Sequence, residues 1–192
     1  MDFSEYRTII ESTPATQRLK YRLAVVWLHP EKLPLSVAAA GGCTDKVIRV
    51  PNTAENRYGL RVPVISVDSG TFRGNTNVTD IILGTGIEKI DAESFAGCTA
   101  LERITIPRAV KRIGAGTFEG CTSLTDVYYE GTPEEWEKVD IVTHKRETVY
   151  GELASGAPVQ RIVCDKLVPV PGNEVLNTVT VHFRCTVPEY EE

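Results

Sequence analysis

Several things are scarce in this 192-residue chain. It has one methionine, two tryptophans and three histidines, and aromatic residues make up only 7%. His29, His144 and His182 lie in separate segments, and none has a carboxylate or cysteine at a spacing that suggests a dyad. No phosphate-cradling loop, dinucleotide fingerprint, nucleophile elbow or metalloprotease helix occurs. Asp91 and Glu93 are close carboxylates, but they sit in a turn of the repeat described below and read as solvated. The chain therefore reads as non-enzymatic, with no cofactor and no catalytic or metal-binding residue to name. No stretch approaches the roughly 18 apolar residues of a membrane helix. Met1-Asp-Phe-Ser-Glu-Tyr-Arg has neither the basic start nor the long apolar run of a secretory signal. Positive charge is not in excess either: net charge is −5, and residues 130–192 hold six basic against twelve acidic side chains. That balance argues against a nucleic-acid partner, which needs a basic face.

Cysteine is present but forms no recognisable framework. The five cysteines, at 43, 98, 121, 164 and 185, are odd in number and include no C-x-x-C or His-Cys metal spacing. Cys98 and Cys121 are 23 residues apart. They read as small buried apolar side chains in a ladder; a disulfide or metal pair is the alternative.

What the chain does contain is a repeat. Slid by 23 residues, positions 64–129 align with themselves. Val64, Ile87 and Val110 match, as do Val67, Ile90 and Ile113, and Phe72, Phe95 and Phe118. Gly74, Gly97 and Gly120 follow, then Val78, Leu101 and Leu124, then Ile81, Ile104 and Val127, then Leu83, Ile106 and Tyr129. A fixed period in this range indicates a solenoid whose units bury their apolar sides only by stacking. Within a unit, Leu101, Ile104 and Ile106 follow L-x-x-L-x-L. Ile104 and Ile106 share one strand face, and Arg103 and Thr105 take the other. Pro107 ends the strand. Ile87 and Ile90 form a second inward row, Phe95 fills the space between the runs, and Gly97 permits a tight turn.

The runs Ile87-Glu-Lys-Ile90, Ser94-Phe-Ala-Gly-Cys-Thr-Ala-Leu101, Ile104-Thr-Ile-Pro107 and Thr117-Phe-Glu-Gly-Cys-Thr-Ser-Leu124 resemble the BspA-like leucine-rich repeat family. So does the exit Tyr128-Tyr-Glu-Gly-Thr-Pro-Glu-Glu-Trp136. The resemblance covers roughly residues 47–141 and departs in the first unit, where Asn75 replaces the cysteine and Gly84 the proline. It implies a surface or secreted module that binds other macromolecules without catalysis. With no signal in view, the expected location is cytoplasmic or within a virion; the cell surface follows only if a signal is missing from this chain.

The expected fold is a right-handed, β-rich, leucine-rich-repeat-like solenoid with an α/β N-terminal cap over 1–46 and a β C-terminal cap over 142–192. The solenoid itself spans 47–141, as a partial repeat and units at 64–86, 87–109 and 110–132. Residues 2–12 read as a short helix, with Phe3, Tyr6 and Ile10 on one face, that packs on the solenoid or docks on a partner. Residues 18–28 alternate as a half-buried strand, with Leu19, Tyr21, Leu23, Val25 and Trp27 on one side and Arg18, Lys20 and Arg22 on the other, solvated or facing an acidic partner. Val47–Val50 reads as a truncated repeat strand, Asn52–Gly59 and 142–158 as loops, and 159–164 and 175–187 as strands of a C-terminal sheet. Thr132, Pro133 and Glu135 predict a capped helical turn, with Trp136 closing the last apolar layer.

Two outward rows carry the functional expectation. Asp80, Arg103 and Asp126 align with alternating charge, and Ile82, Thr105 and Tyr128 form the next row. An open sheet face with an isoleucine and a tyrosine is where a solenoid binds; the alternative is a face covered by the chain's own flanks or by a sister subunit. Two functions compete: an adhesion or interaction module for a protein or glycan, and a structural subunit of a larger assembly such as a phage or virus particle, with homo-oligomer contacts.

Overall fold

The computed structural model describes residues 8–9, 19–23, 35–39, 43, 45–55, 59–152, 158–169 and 171–184. The strands are β1 (Thr8–Ile9), β2 (Lys20–Leu23), β3 (Leu35–Ala39), β4 (Val47–Arg49), β5 (Thr53–Glu55), β6 (Arg61–Val67), β7 (Asp80–Ile82) and β8 (Lys89–Ile90). There follow β9 (Arg103–Ile106), β10 (Arg112–Ile113), β11 (Asp126–Tyr129), helix α1 (Pro133–Trp136), β12 (Asp140–Ile141), β13 (His144–Glu152) and β14 (Pro158–Pro169). A 3-10 turn over Glu174–Asn177 and β15 (Thr180–Phe183) complete the described elements.

Two sheets stack the coils, and β13 with β14 forms a separate two-stranded sheet. One runs β15-β11-β9-β7-β4, with every neighbour parallel. The other runs β1-β2-β3-β6-β8-β10-β12, with β5 antiparallel on β6, and its main path is parallel from β3 onward. In the first sheet Asp80 lies opposite Arg103 and Arg103 opposite Asp126. In the second, Lys89 lies opposite Arg112. Each pair joins positions aligned in the self-match, so register follows from the repeat: a slip of one residue would turn the apolar row outward.

The core lies between the sheets. Ile81, Ile104 and Val127 are buried, with Ile48 before them. Phe72, Phe95 and Phe118 stack with ring centroids 5.6 Å apart, which adds ring contact to the burial of each side chain. The turns before β7 and β9 are held by backbone hydrogen bonds between coils, with Phe72 N donating to Ser94 O and Phe95 N to Thr117 O. Gly74, Gly97 and Gly120 all have φ between 72° and 74°, a left-handed turn that accounts for glycine at that column. Cys98 Sγ contacts Phe72 O at 3.1 Å, and Cys121 Sγ contacts Phe95 O at 3.2 Å. Both thiols are free and buried, and burial pushes them up to about 11 and about 12. They are the ladder, not a disulfide. At the departing position Asn75 takes over, donating from Nδ2 to Cys43 O.

Several expectations need correction. Thr8–Ile9 is a strand paired with Lys20 and Tyr21, where a helix over 2–12 was expected; the rest of that segment lies outside the described residues. The chain within 52–59 is not all loop, because Thr53–Glu55 pairs antiparallel with β6. The polar stretch after 142 is β13, paired with a β14 twice as long as the expected 159–164 strand. Backbone pairing overrides the weak local signal there. Residues 174–177 turn as a 3-10 helix, and the strand that follows, β15, joins the solenoid sheet beside β11. The part of 175–187 beyond Arg184, like residues 24–28 of the expected 18–28 strand, lies outside the described residues.

Other expectations hold. Leu19 and Tyr21 are buried. Val47–Arg49 pairs with β7 as a repeat strand. Thr132 caps α1: its hydroxyl accepts from Glu135 N, and Glu135 accepts from Thr132 N. Trp136 packs on Tyr129 at 5.0 Å.

Candidate interaction face

The alternation of the five parallel strands sends Ile48, Ile81, Ile104, Val127 and Val181 into one row toward the core. Their neighbours make two outward rows. The first runs Val47, Asp80, Arg103, Asp126, Thr180, and the second runs Arg49, Ile82, Thr105, Tyr128, His182. All six residues expected on this face from sequence are brought together in the expected order. Four flanking positions were not expected there. Arg49 and Val47 were within reach, since Val47-Ile-Arg-Val-Pro matches Ile104-Thr-Ile-Pro in pattern. Thr180 and His182 were not, because 54 residues separate Asp126 from Thr180, more than two repeat periods.

The charges on the face pair with each other. The Arg103 guanidinium meets Asp80 through Nε at 2.5 Å and Nη2 at 3.0 Å. Burial opposes ionisation of Asp80, but Arg103 and the Thr79 hydroxyl outweigh it and hold the carboxyl below the usual carboxylate range. His182 Nε2 lies 2.7 Å from Asp126 Oδ1. That contact, with the Thr125 hydroxyl, keeps the Asp126 carboxyl low as well. The His182 ring also stacks on Tyr128, with centroids 4.6 Å apart and planes 12° from parallel. Asp126 and Tyr128 thus fix the imidazole as part of the sheet surface. Ile82, Thr105, Tyr128 and His182 are half-buried, and the Arg103 side chain is 46% exposed. Among the described residues no group of three or more histidine, cysteine, aspartate or glutamate side chains could hold a metal ion. The face offers hydrogen-bonding groups and an aromatic edge, which suits binding. Among the same residues, no helix is long and apolar enough to cross a membrane.

The six-copy model of the BspA type leucine rich repeat region matches residues 58–138. Those residues are a BspA-type leucine-rich repeat region. The repeat region resembles solved bacterial leucine-rich repeat proteins. The T. pallidum leucine rich repeat protein TpLRR matches with a TM-score of 0.50 and 22% identity, over 62% of this chain and 53% of that one. This chain thus spans about half of the T. pallidum protein. A leucine-rich repeat protein from Bacteroides capillosus ATCC 29799 matches with a TM-score of 0.53 and 13% identity, over 71% of this chain and 99% of that one. At such identities the likeness is one of fold. No curated protein matches the chain. Leucine-rich repeat regions of this kind are in general non-catalytic interaction modules.

Proposed function

We propose that the chain is a non-catalytic module that recognises a macromolecular partner, a protein or a glycan, through the outward rows of the five-stranded sheet. The observation that carries this is the position of β15. A C-terminal flank folded over the sheet would cover the candidate rows; among the described residues β15 instead pairs edge-on with β11 and lengthens each row by one residue, Thr180 and His182. The face is therefore broader than the repeat alone would make it, and its middle, Ile82, Thr105 and Tyr128, stays half-exposed. The internal pairing of Arg103 with Asp80 and of His182 with Asp126 favours a partner read by shape, aromatic contact and neutral hydrogen bonds. The reading as a subunit of a virus particle gains nothing from the comparisons.

The test is a double variant, Ile82→Asp with Tyr128→Asp, beside the parent protein on protein and glycan arrays, with circular dichroism and a melting curve as fold controls. The proposal expects binding by the parent and none by a variant that still folds. A folded variant that binds as well as the parent would move the interface off this face, and a parent that binds nothing on either array would count against the module reading.

A further inference from the structure

Asp126 decides what His182 offers at the end of its outward row. The Asp126 carboxyl is held low and is ionised near neutral pH, so it has no proton to give. The proton in its 2.7 Å contact with His182 therefore belongs to Nε2. A neutral imidazole carries one N–H, which leaves Nδ1 bare as an acceptor. Nδ1 takes no hydrogen bond from a described residue. The side chain is 38% exposed, so a partner can reach the ring. The carboxylates that would compete for a donor are engaged, Asp80 by Arg103 and Asp126 by His182.

The rings limit the kind of partner that fits. His182 covers one face of Tyr128, with planes 12° from parallel, and Thr105 lies opposite Tyr128 on the other side. Both rings thus stand edge-on to the surface, and Tyr128 offers no open ring face on which a sugar could lie. A polypeptide suits this surface better. Each residue other than proline brings one backbone N–H, a donor that does not titrate between pH 5 and 8.

Histidine is the side chain whose charge changes in that interval. With Nε2 already protonated, a second proton enters only at Nδ1. It turns the acceptor into a donor and leaves a facing N–H without a partner. Among the described residues, the charged and titratable groups around the ring are Asp126 and Tyr128 of β11 and Arg103 of β9 beyond Asp126. Arg184 follows β15, with Glu134 of α1 beside it. The one carboxylate in contact with the ring is bonded at Nε2, so none of these groups cancels the change at Nδ1.

We propose that His182 is the acceptor through which this face holds a polypeptide: Nδ1 of the neutral ring takes a hydrogen bond from a partner N–H, and protonation of Nδ1 releases the partner. This rests on the reading of the five-stranded face as the binding surface.

Two measurements on the full chain test it. Long-range proton–nitrogen NMR reads the tautomer: near neutral pH the His182 ring should carry its proton on Nε2, and a proton on Nδ1 instead would overturn the proposal. The second is an array of random peptides with blocked ends and without His, Asp or Glu, so that only the chain titrates, read at about pH 8 and about pH 5. Peptides that bind the parent at the higher pH should bind about tenfold or more weakly at the lower one, because a desolvated N–H loses its acceptor. His182→Gln, whose amide can donate to Asp126 and offer an oxygen acceptor without titrating, should lose the pH dependence. His182→Lys, a permanent donor, should bind at the higher pH as weakly as the parent does at the lower. Peptide binding that is lost in Ile82→Asp/Tyr128→Asp but is indifferent to pH would overturn the acceptor role and leave the face as the binding surface. Equal binding by that double variant and the parent would overturn both. A parent that binds glycans and no peptide would overturn this proposal and leave the module reading standing.

Discussion

The Asn173 side-chain nitrogen donates to the carbonyl of Gly114, 59 positions away, at 2.7 Å, and to the carbonyl of Val142 at 2.9 Å. This repeats an earlier pattern. Ser94 Oγ donates to Asp91 O and Asp68 O, and Thr117 Oγ1 to Gly114 O at 2.8 Å and Asp91 O at 3.4 Å. Each hydroxyl ties its own turn to the turn before it. After the hairpin the chain returns with a longer side chain, Asn173, and makes the same two contacts.

Asn173 is 2% exposed, so its loss leaves buried carbonyls without these donors. Asn173→Ala should cost about 1–3 kcal/mol, concentrated in the last coil. Hydrogen exchange is the direct measurement: the amides of Thr180–Phe183 should exchange faster, while those of Arg103–Ile106 keep their protection. Equal protection in both strands would remove Asn173 from this role.

A second column contains a conflict. Gly70, Glu93 and Gly116 occupy the same place in successive turns, with φ of 66°, 57° and 64°. Left-handed backbone costs a residue with a Cβ roughly 1–2 kcal/mol. Glu93 tolerates it while pairing with Arg73, but both side chains are largely exposed, and such a pair contributes little. Glu93→Gly should therefore raise the melting temperature, by a net gain of about 0.5–1 kcal/mol. Gly116→Ala should lower stability by about 1 kcal/mol. A Cβ there would meet nothing closer than 3.5 Å, so the loss would be conformational rather than steric. Denaturant titration of the two variants beside the parent checks both signs.

These columns also show where the sequence could be read and where it could not. Phe72, Phe95 and Phe118, the two ladder cysteines and the inward aliphatic rows recur at one spacing, so their burial and neighbours were legible without a structure. The face residues Asp80, Arg103 and Asp126 were legible for the same reason. His182 was not. Its seat beside Tyr128 depends on β15 entering the sheet as one more strand, and the inserted hairpin breaks the period just before it. Asn173 was hidden twice, by the insertion and by the change from a hydroxyl to an amide. The polar composition of 142–158 resembles a loop because a two-stranded excursion needs no apolar row facing the core.

Phe95 is the middle ring of the three-ring stack and is fully buried. Phe95→Ala should cost about 3–5 kcal/mol, since rings above and below cannot close on the space it leaves. Phe95→Leu keeps most of the volume and should cost less. Thermal unfolding followed by circular dichroism measures both. An unchanged midpoint for the alanine variant would contradict the stacking of the coils through their aromatic column.

The Asp80–Arg103 pair gives stability a pH dependence whose sign follows from its geometry. The Asp80 carboxyl is held below its usual range in the folded chain, while unfolding returns it to about 3.9. The folded state then binds fewer protons at this site over the interval between the two values. Its contribution is complete above the unfolded value and fades as pH falls through the folded one. The Asp80 side chain is 20% exposed and that of Arg103 46%, so solvent screening keeps the contribution to about 1 kcal/mol or less. Urea midpoints for the parent and Asp80→Asn should accordingly differ by a constant amount above about pH 5 and converge in stronger acid. A gap that widened on acidification would mean that the neutral carboxyl, not the ion pair, is the form the fold prefers.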